Sequence, residues 1–284
     1  ITGIRGMNDI LPADIPQWRF VEETARRIFG LYGFSELRSP VLEKTELFLR
    51  GMGEDTDVVE KQMYTFTDKS GESVSLRPEA TASVLRAVIE HGLLGQEPIQ
   101  KLFSIGPMFR YERPQKGRYR QFHQINCERL GESGPHIDAE TLCLAYDIAG
   151  AVGLSNIELE VNSLGCPACR PAYQQALRAF MLTRKDRLCE NCQRRMATNP
   201  LRVLDCKAEI CKTAAVDAPV IEDYLCPDCR THYQSVLTAL AALEVPFTKN
   251  TRLVRGLDYY TRTTFEISAL GLGSQNAVAG GGRY

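Results

Sequence analysis

Residues 101–131 read KLFSIGPMFRY, ERPQKGRYR and QFHQINCERLG in succession. The outer segments are strand-like and the middle one is a basic loop, the pattern of a β-hairpin. Side chains alternate along a strand, so Phe122, Gln124, Asn126 and Glu128 share one face of the second strand. That face makes a poor hydrophobic core. It is either a solvated outer face or the lining of a polar pocket, with an aromatic platform at one end and a carboxylate at the other. The loop moves the balance towards the pocket. Arg110, Arg113, Lys116, Arg118 and Arg120 fall within eleven residues, around Gly117. Guanidinium forks grip phosphate oxygens in pairs, and a cationic loop abutting a polar strand favours a nucleotide site.

Outward from the hairpin the elements alternate in type. Trp18, Val21, Ala25, Ile28 and Phe29 recur at helical spacing, with Gly33 as a stop. FSELRSPVLEKTELF, from Phe34, reads as an extended piece turning at Pro40 into a helix. SLRPEAT (Ser75 to Thr81) opens another helix through Leu85, Val88 and Ile89, and Ile137 to Val152 is helical. Ile157 to Val161 alternates like a strand. After Thr248, LVRGLDYYTRTTFEIS is strand-like again, and the glycine run AGGGRY follows.

The pattern predicts an α+β fold, an antiparallel sheet flanked by helices, interrupted by an inserted, mostly helical, cysteine-rich subdomain. The expected division is 1–162 and 244–284 for the catalytic domain and 163–243 for the insertion. The chain has 284 residues, 44% hydrophobic and 24% charged, which suits one large domain or two unequal ones. No apolar run reaches the roughly 20 residues of a membrane span, and ITGIRGMNDILP lacks the marks of a secretory signal. A net charge of −1 argues against a module that coats nucleic acid.

Ten cysteines in such a chain point to a reducing cytoplasm and to metal binding rather than disulfides. Cys166 with Cys169, Cys189 with Cys192, and Cys226 with Cys229 are CxxC pairs, and Cys206 with Cys211 is a looser fourth. CxxC brings two thiolates to one tetrahedral ion, so at least one structural zinc is expected, the alternative being free thiols. All-cysteine sites leave no open position for chemistry. Cys127 and Cys143 read as small core residues.

FRYERPQKGRYRQFHQ (Phe109 to Gln124) resembles motif 2 of class II aminoacyl-tRNA synthetases in its histidine-specific form. TGIRGMNDILP and the run through Pro40 are similar to the family's N-terminus and motif 1. SLRPEAT resembles its amino-acid-binding turn. LVRGLDYYTRT (Leu253 to Thr263) and AVAGGGRY (Ala277 to Tyr284) resemble two signatures of the histidine-specific enzymes. The resemblance covers nearly the whole chain and is loosest among the cysteines. It implies a histidine–tRNA ligase that uses ATP and magnesium, with L-histidine, ATP and tRNA(His) as partners, no membrane, and a cytoplasmic homodimer formed through motif 1.

The resemblance also implies roles. Arg110 would bind the α-phosphate and Arg118 the γ-phosphate, with Phe122 stacked on adenine and Arg113 lining the same pocket. Glu79, Thr81 and Gln124 would hold the α-ammonium, and Glu128 and Tyr260 the imidazole. Tyr284 would also belong to the histidine pocket. Arg255 would contact the histidine carboxylate and the α-phosphate during attack, making Arg255 and Arg110 the catalytic pair. The bland alternative for Arg255 is an ion pair with Asp258 or another surface acid. The resemblance stops at Tyr284, ahead of a third motif and an anticodon-binding domain. It therefore implies a catalytic region cut before motif 3, with activity expected of the parent enzyme. Two rivals share the same core: a histidine-binding regulatory subunit of ATP phosphoribosyltransferase, which charges no tRNA, and a synthetase-like module of a larger kinase. The intact loop and LVRGLDYY favour retained ATP chemistry.

Overall fold

An apolar stripe at helical spacing, with Pro16 in the first turn, makes α1 (Ile15–Leu31), and the helix ends short of Gly33. The computed structural model describes residues 1–52, 58–257, 259–272 and 276–284. From α1 the order is β1 (Ser35–Glu36), β2 (Leu42–Lys44), α2 (Thr45–Met52), β3 (Tyr64–Thr67), β4 (Ser73–Leu76), α3 (Thr81–Glu90) and α4 (Leu93–Gln96). Then come β5 (Gln100–Phe109), β6 (Gln121–Leu130), α5 (Pro135–Ala151), β7 (Ile157–Ser163), α6 (Arg170–Leu182), α7 (Glu190–Thr198), α8 (Glu209–Ala214) and α9 (Pro227–Ala242). The last are β8 (Thr248–Lys249), β9 (Thr261–Ala269) and β10 (Ala277–Arg283). The chain forms two compact units: residues 1–133, 144–156 and 270–276, and residues 134–143, 157–269 and 277–284.

In the first unit, β5 and β6 form the expected hairpin, antiparallel from Gln100 opposite Leu130 to Phe109 opposite Gln121. The short β1 pairs with β5 in parallel, and β2, β4 and β3 form a separate antiparallel sheet. The two faces of the hairpin diverge in chemistry. Phe103, Ile105, Ile125 and Cys127 pack on Ala25, Ile28 and Phe29 of α1 and on Leu144. Phe29 and Phe103 stack with centroids 4.3 Å apart. Burying each such side chain contributes roughly 1.5–3 kcal/mol. In α3, Val84 and Val88 pack against Leu102, whereas Ile89 is exposed. The i, i+4 pair faces the strand, and Ile89, one position on, points away.

In the second unit, β9 pairs antiparallel with β7 and with β10, and β8 runs parallel to β7. Between β7 and β8 the four α-helices α6–α9 form the cysteine-bearing block. It is built around Tyr173, Leu177, Met181, Met196, Val236 and Leu240, all buried. The Tyr233 hydroxyl donates to the Val161 carbonyl at 3.2 Å, tying α9 to β7. One sequence expectation changes here. Residues 253–257, 259 and 260 are irregular, and the strand begins only at Thr261. The glycine run lies in the strand β10.

Candidate active site and cysteine clusters

The polar face of β6 is half-buried, and Glu128 is its buried member. Glu128 is 5% exposed, and its Oε1 accepts a hydrogen bond from the Asn126 amide at 3.0 Å. The same amide lies 3.5 Å from the Thr81 hydroxyl, which joins the strand to the start of α3. There the Glu79 carboxylate, also buried, accepts the backbone N–H groups of Thr81 at 3.1 Å and Ala82 at 2.9 Å. These are donors that the first turn of a helix leaves without intrahelical partners, so the Glu79 side chain is fixed in place. A buried Glu128 beside a buried Glu79 is at odds with a fully solvated outer face.

Strand alternation put Asn126 on this face without a role, and Ser104 and Arg77 were not assigned from the sequence at all. Asn126 is the bridge just described, and Ser104 stands opposite it in the hairpin register. Among the described residues, Asn126 Oδ1 and Ser104 Oγ are buried without hydrogen-bond partners. Such atoms cost about 1–3 kcal/mol each unless a ligand satisfies them. The register of the hairpin was the available signal, since it carries the polar parity of β6 across to β5. Arg77, in SLRPEAT, is buried. It donates to the Pro107 carbonyl at 3.0 Å and to the Ser39 carbonyl at 2.9 Å, locking the turn before Glu79. Burial lowers its pKa, opposed by the charge of Glu43.

At the loop end, Arg110 Nε donates to the Pro78 carbonyl at 2.9 Å, and its guanidinium carbon lies 5.3 Å from the Phe122 ring centroid. The aromatic platform and the first arginine are thus side by side. Gln124 lies between Phe122 and Asn126 on the same face. Arg118 pairs with Glu112 at 3.0 Å on the exposed loop, and Arg113 is exposed there too.

Arg255, Tyr260 and Tyr284 lie in the second unit. Arg255 Nη1 meets Glu266 Oε2 of β9 at 2.7 Å, and among the described residues its Nε is buried with no partner. An acid does pair with this arginine, the partly exposed Glu266 of β9; Asp258 lies outside the described residues. Glu266 pairs in register with Gly280. A Cβ on Gly280 would fall 2.4 Å from Arg255 Nη1, so β10 is glycine there because a guanidinium occupies the space. Tyr259 packs against both Tyr260 and Tyr284, with centroids 4.5 Å and 5.8 Å away. A cavity of about 150 Å³ opens beside Arg255 and Tyr260, with Arg170, Gln174, Asn199 and Arg202 of the helical block on its wall. Arg170 also donates to the Tyr260 carbonyl.

A buried charged cluster braces β10. The Arg283 guanidinium grips Asp138 of α5 at 2.6 Å and 3.0 Å, and Thr263 donates to the same carboxylate at 2.5 Å. His232 Nε2 is 3.5 Å from it. Burial holds the His232 imidazole below its usual range, with Asp138 opposing and Arg283 and Arg262 adding to the shift.

The cysteines assemble as two groups of four. Cys166, Cys169, Cys226 and Cys229 form one, and Cys189, Cys192, Cys206 and Cys211 the other, each with its sulfurs within 4.8 Å of one another. All ten cysteines are free thiols. Burial works against ionising Cys166, but the N–H groups of Cys169 and Ala168 bring it below the usual thiol range. The N–H of Cys192 lowers Cys189. Burial pushes Cys192 and Cys229 upward.

Among solved structures, apo S. aureus histidyl-tRNA synthetase superposes on the whole chain with a TM-score of 0.78 at 37% identity, over 66% of its own length. A Bacillus halodurans protein described as an ATP phosphoribosyltransferase regulatory subunit/histidyl-tRNA synthetase matches at TM-score 0.71 and 19% identity, covering 76% of that chain. The second likeness is one of fold alone. The fold is that of an aminoacyl-tRNA synthetase. Histidine–tRNA ligases of Syntrophotalea carbinolica and Geobacter metallireducens are 58% and 56% identical over the whole chain, which spans 68% and 69% of their lengths. The histidyl-tRNA synthetase family model matches residues 6–284. The chain belongs to the histidyl-tRNA synthetase family. These relatives support the ligase reading over the regulatory subunit. Among the described residues, no helix is long and apolar enough to cross a membrane.

Proposed function

We propose that the chain supplies the adenylating site of a histidine–tRNA ligase acting on L-histidine, ATP and tRNA(His). A histidine carboxylate oxygen attacks the α-phosphorus of ATP; an O–P bond forms and pyrophosphate leaves. The terminal ribose hydroxyl of the tRNA then takes the acyl group and AMP is released. The buried carboxylates of Glu128 and Glu79, at the polar face of β6 and the start of α3, carry this reading. Glu128, oriented by Asn126, accepts from the imidazole; Tyr260 and Tyr284 are further histidine-binding residues, as the sequence resemblance implies. Glu79, Thr81 and Gln124 receive the α-ammonium, for which the unpartnered Asn126 and Ser104 oxygens are further acceptors. A pocket of paired polar groups rejects analogues that lack them by roughly ten-thousandfold.

Arg110, held by the Pro78 carbonyl beside Phe122, meets the α-phosphate while Phe122 stacks on adenine. Arg113 and Arg118 come from the loop, and Arg118 exchanges Glu112 for the γ-phosphate. Arg255 bridges carboxylate and α-phosphate. Magnesium, when bound, neutralises phosphate charge; the arginines position and stabilise. The domain division we favour is 1–162 with 244–284 around an insertion at 163–243. Ten free thiols suit the cytoplasm, and the exposed Leu42 and Phe66 on β2 and β3 suit a homodimer.

The test is histidine-dependent ATP–pyrophosphate exchange, measured on the protein at the length of its relatives. Exchange with histidine and not with other amino acids is expected. Histidine binding without exchange would return the protein to the regulatory reading.

A further inference from the structure

We propose that the helical block holds two structural zinc ions in nested sites. The outer site is Cys166, Cys169, Cys226 and Cys229, and the inner is Cys189, Cys192, Cys206 and Cys211. Sequence spacing alone would equally allow neighbouring pairs to combine in order along the chain. The folded chain pairs them otherwise, so that the inner ligands lie wholly between the two halves of the outer set.

The geometry is that of tetrathiolate centres. A zinc–sulfur distance of about 2.3 Å at a tetrahedral ion places its sulfurs about 3.8 Å apart. Cys166 Sγ is 3.6 Å from Cys169 Sγ, and Cys189 Sγ is 3.9 Å from Cys206 Sγ. Those separations are nearly twice the roughly 2.05 Å of a disulfide. Four thiolates also need N–H donors around them. The Cys226 N–H points at Cys169 Sγ at 3.2 Å, and the Cys189 N–H at Cys211 Sγ at 3.2 Å, each donor lying in the other pair of its own site. Cys169, Cys189 and Cys226 are the N-caps of α6, α7 and α9, where the positive end of the helix dipole favours thiolate.

The outer knuckle is shaped for this. Gly165 has φ +61, and a Cβ there would sit 2.8 Å from Cys169 Cβ, so any side chain would push the ligand away. The Gly165 carbonyl accepts the Arg262 N–H at 2.9 Å and the Thr261 hydroxyl at 3.0 Å. The outer site is thereby fastened to β9, while the inner one closes only the helical block. Soft thiolates select zinc over hard cations, and the four cysteines leave no position for substrate.

Metal content of the purified protein tests this directly. After exhaustive dialysis, elemental analysis should give about two zinc equivalents per chain, and cobalt substitution should give the absorption of two tetrahedral thiolate centres. The pairing is read from double variants. Cys166→Ser with Cys226→Ser removes two ligands of one site and should retain about one equivalent. Cys166→Ser with Cys189→Ser breaks both sites and should retain none. The reverse pattern would show sequential pairing and overturn the nested assignment. Should the variants not fold, wild-type protein still decides: iron in place of zinc, or no bound metal with all ten thiols open to a thiol reagent, overturns the proposal.

Discussion

Glu128 is buried on a strand that also carries Gln124 and Asn126, and the Asn126 amide donates to it. The oxygens of a carboxylate each accept more than one hydrogen bond, so this donor does not by itself fill the acceptor capacity of Glu128. Glu128→Ala should therefore weaken histidine binding about 30-fold, near 2 kcal/mol, and leave ATP affinity unchanged. Calorimetric titration of the folded variant checks it; unaltered histidine affinity would remove Glu128 from the pocket. The alternation of β6 made this residue legible, because parity is a local property. Arg77 and Ser104 were not, since their meaning depends on carbonyls and a partner strand brought from elsewhere. His232 is a second single-residue case. Its folded pKa is depressed, burial being the largest cause, while the unfolded chain titrates near its ordinary value of about 6.5. As pH falls through that value the unfolded chain takes up protons that the folded ring declines, so stability is lost downward. Between about pH 7.5 and 5.5, the melting temperature of wild type should fall further than that of His232→Gln. Equal falls, followed by scanning calorimetry, would clear this histidine of the effect.

The strand β10 shows how an element can be written against its own propensities. Three consecutive glycines disfavour a strand on conformational entropy, so the run AGGGRY gave no strand signal. The strand forms because β9 offers a full edge and because side chains already fill its face: Arg255 at Gly280, and Tyr260 and the Thr263 carbonyl at Gly282. The irregular stretch before β9 follows from the same need, since Arg255 must leave the sheet plane to reach over it. By contrast, the β5–β6 hairpin and α1 were legible because pattern, turn chemistry and packing agree there. One substitution separates position from stability. In Gly280→Ala the new Cβ would fall 2.4 Å from Arg255 Nη1 and 2.5 Å from its Cζ. The tip of a long side chain can swing aside at little cost to the fold, but not without leaving Glu266. Adenylate formation should fall at least about tenfold with a small change in melting temperature, whereas Arg255→Ala should lower it by about a hundredfold, roughly 3 kcal/mol. Rapid-quench measurement of histidyl-adenylate reads both. A Gly280→Ala rate equal to wild type would mean that the position of this guanidinium does not matter to the reaction.

Over the whole molecule, the two units draw their stability from different sources. The first, with the β5–β6 hairpin and α1, rests on an aromatic and aliphatic core and contains none of the eight clustered cysteines. The second holds all eight, and two of the four helices in its helical block are short: α7 has nine residues and α8 six. Helices of that length are marginal alone and take their stability from tertiary packing. In small metal-bound modules the metal contributes much of the folding free energy, with apparent binding of roughly 10–16 kcal/mol in zinc-finger peptides. The loose sequence resemblance among the cysteines is consistent with a block whose fold is set by its ligands more than by its remaining side chains. Removing the metal should therefore act on one unit. With a strong chelator present, calorimetry should show a transition moved to much lower temperature or lost. Hydrogen exchange should assign that loss to residues 164–242, while the amides of β5 and β6 keep their protection. Because the Gly165 carbonyl is held by Arg262 and Thr261 and Arg170 by the Tyr260 carbonyl, protection at the start of β9 should fall with it. Histidine affinity should drop in the same titration, since Tyr260 is a proposed histidine-binding residue. A chelated protein with an unchanged exchange pattern throughout 164–242 would leave the helical block standing on its apolar core alone.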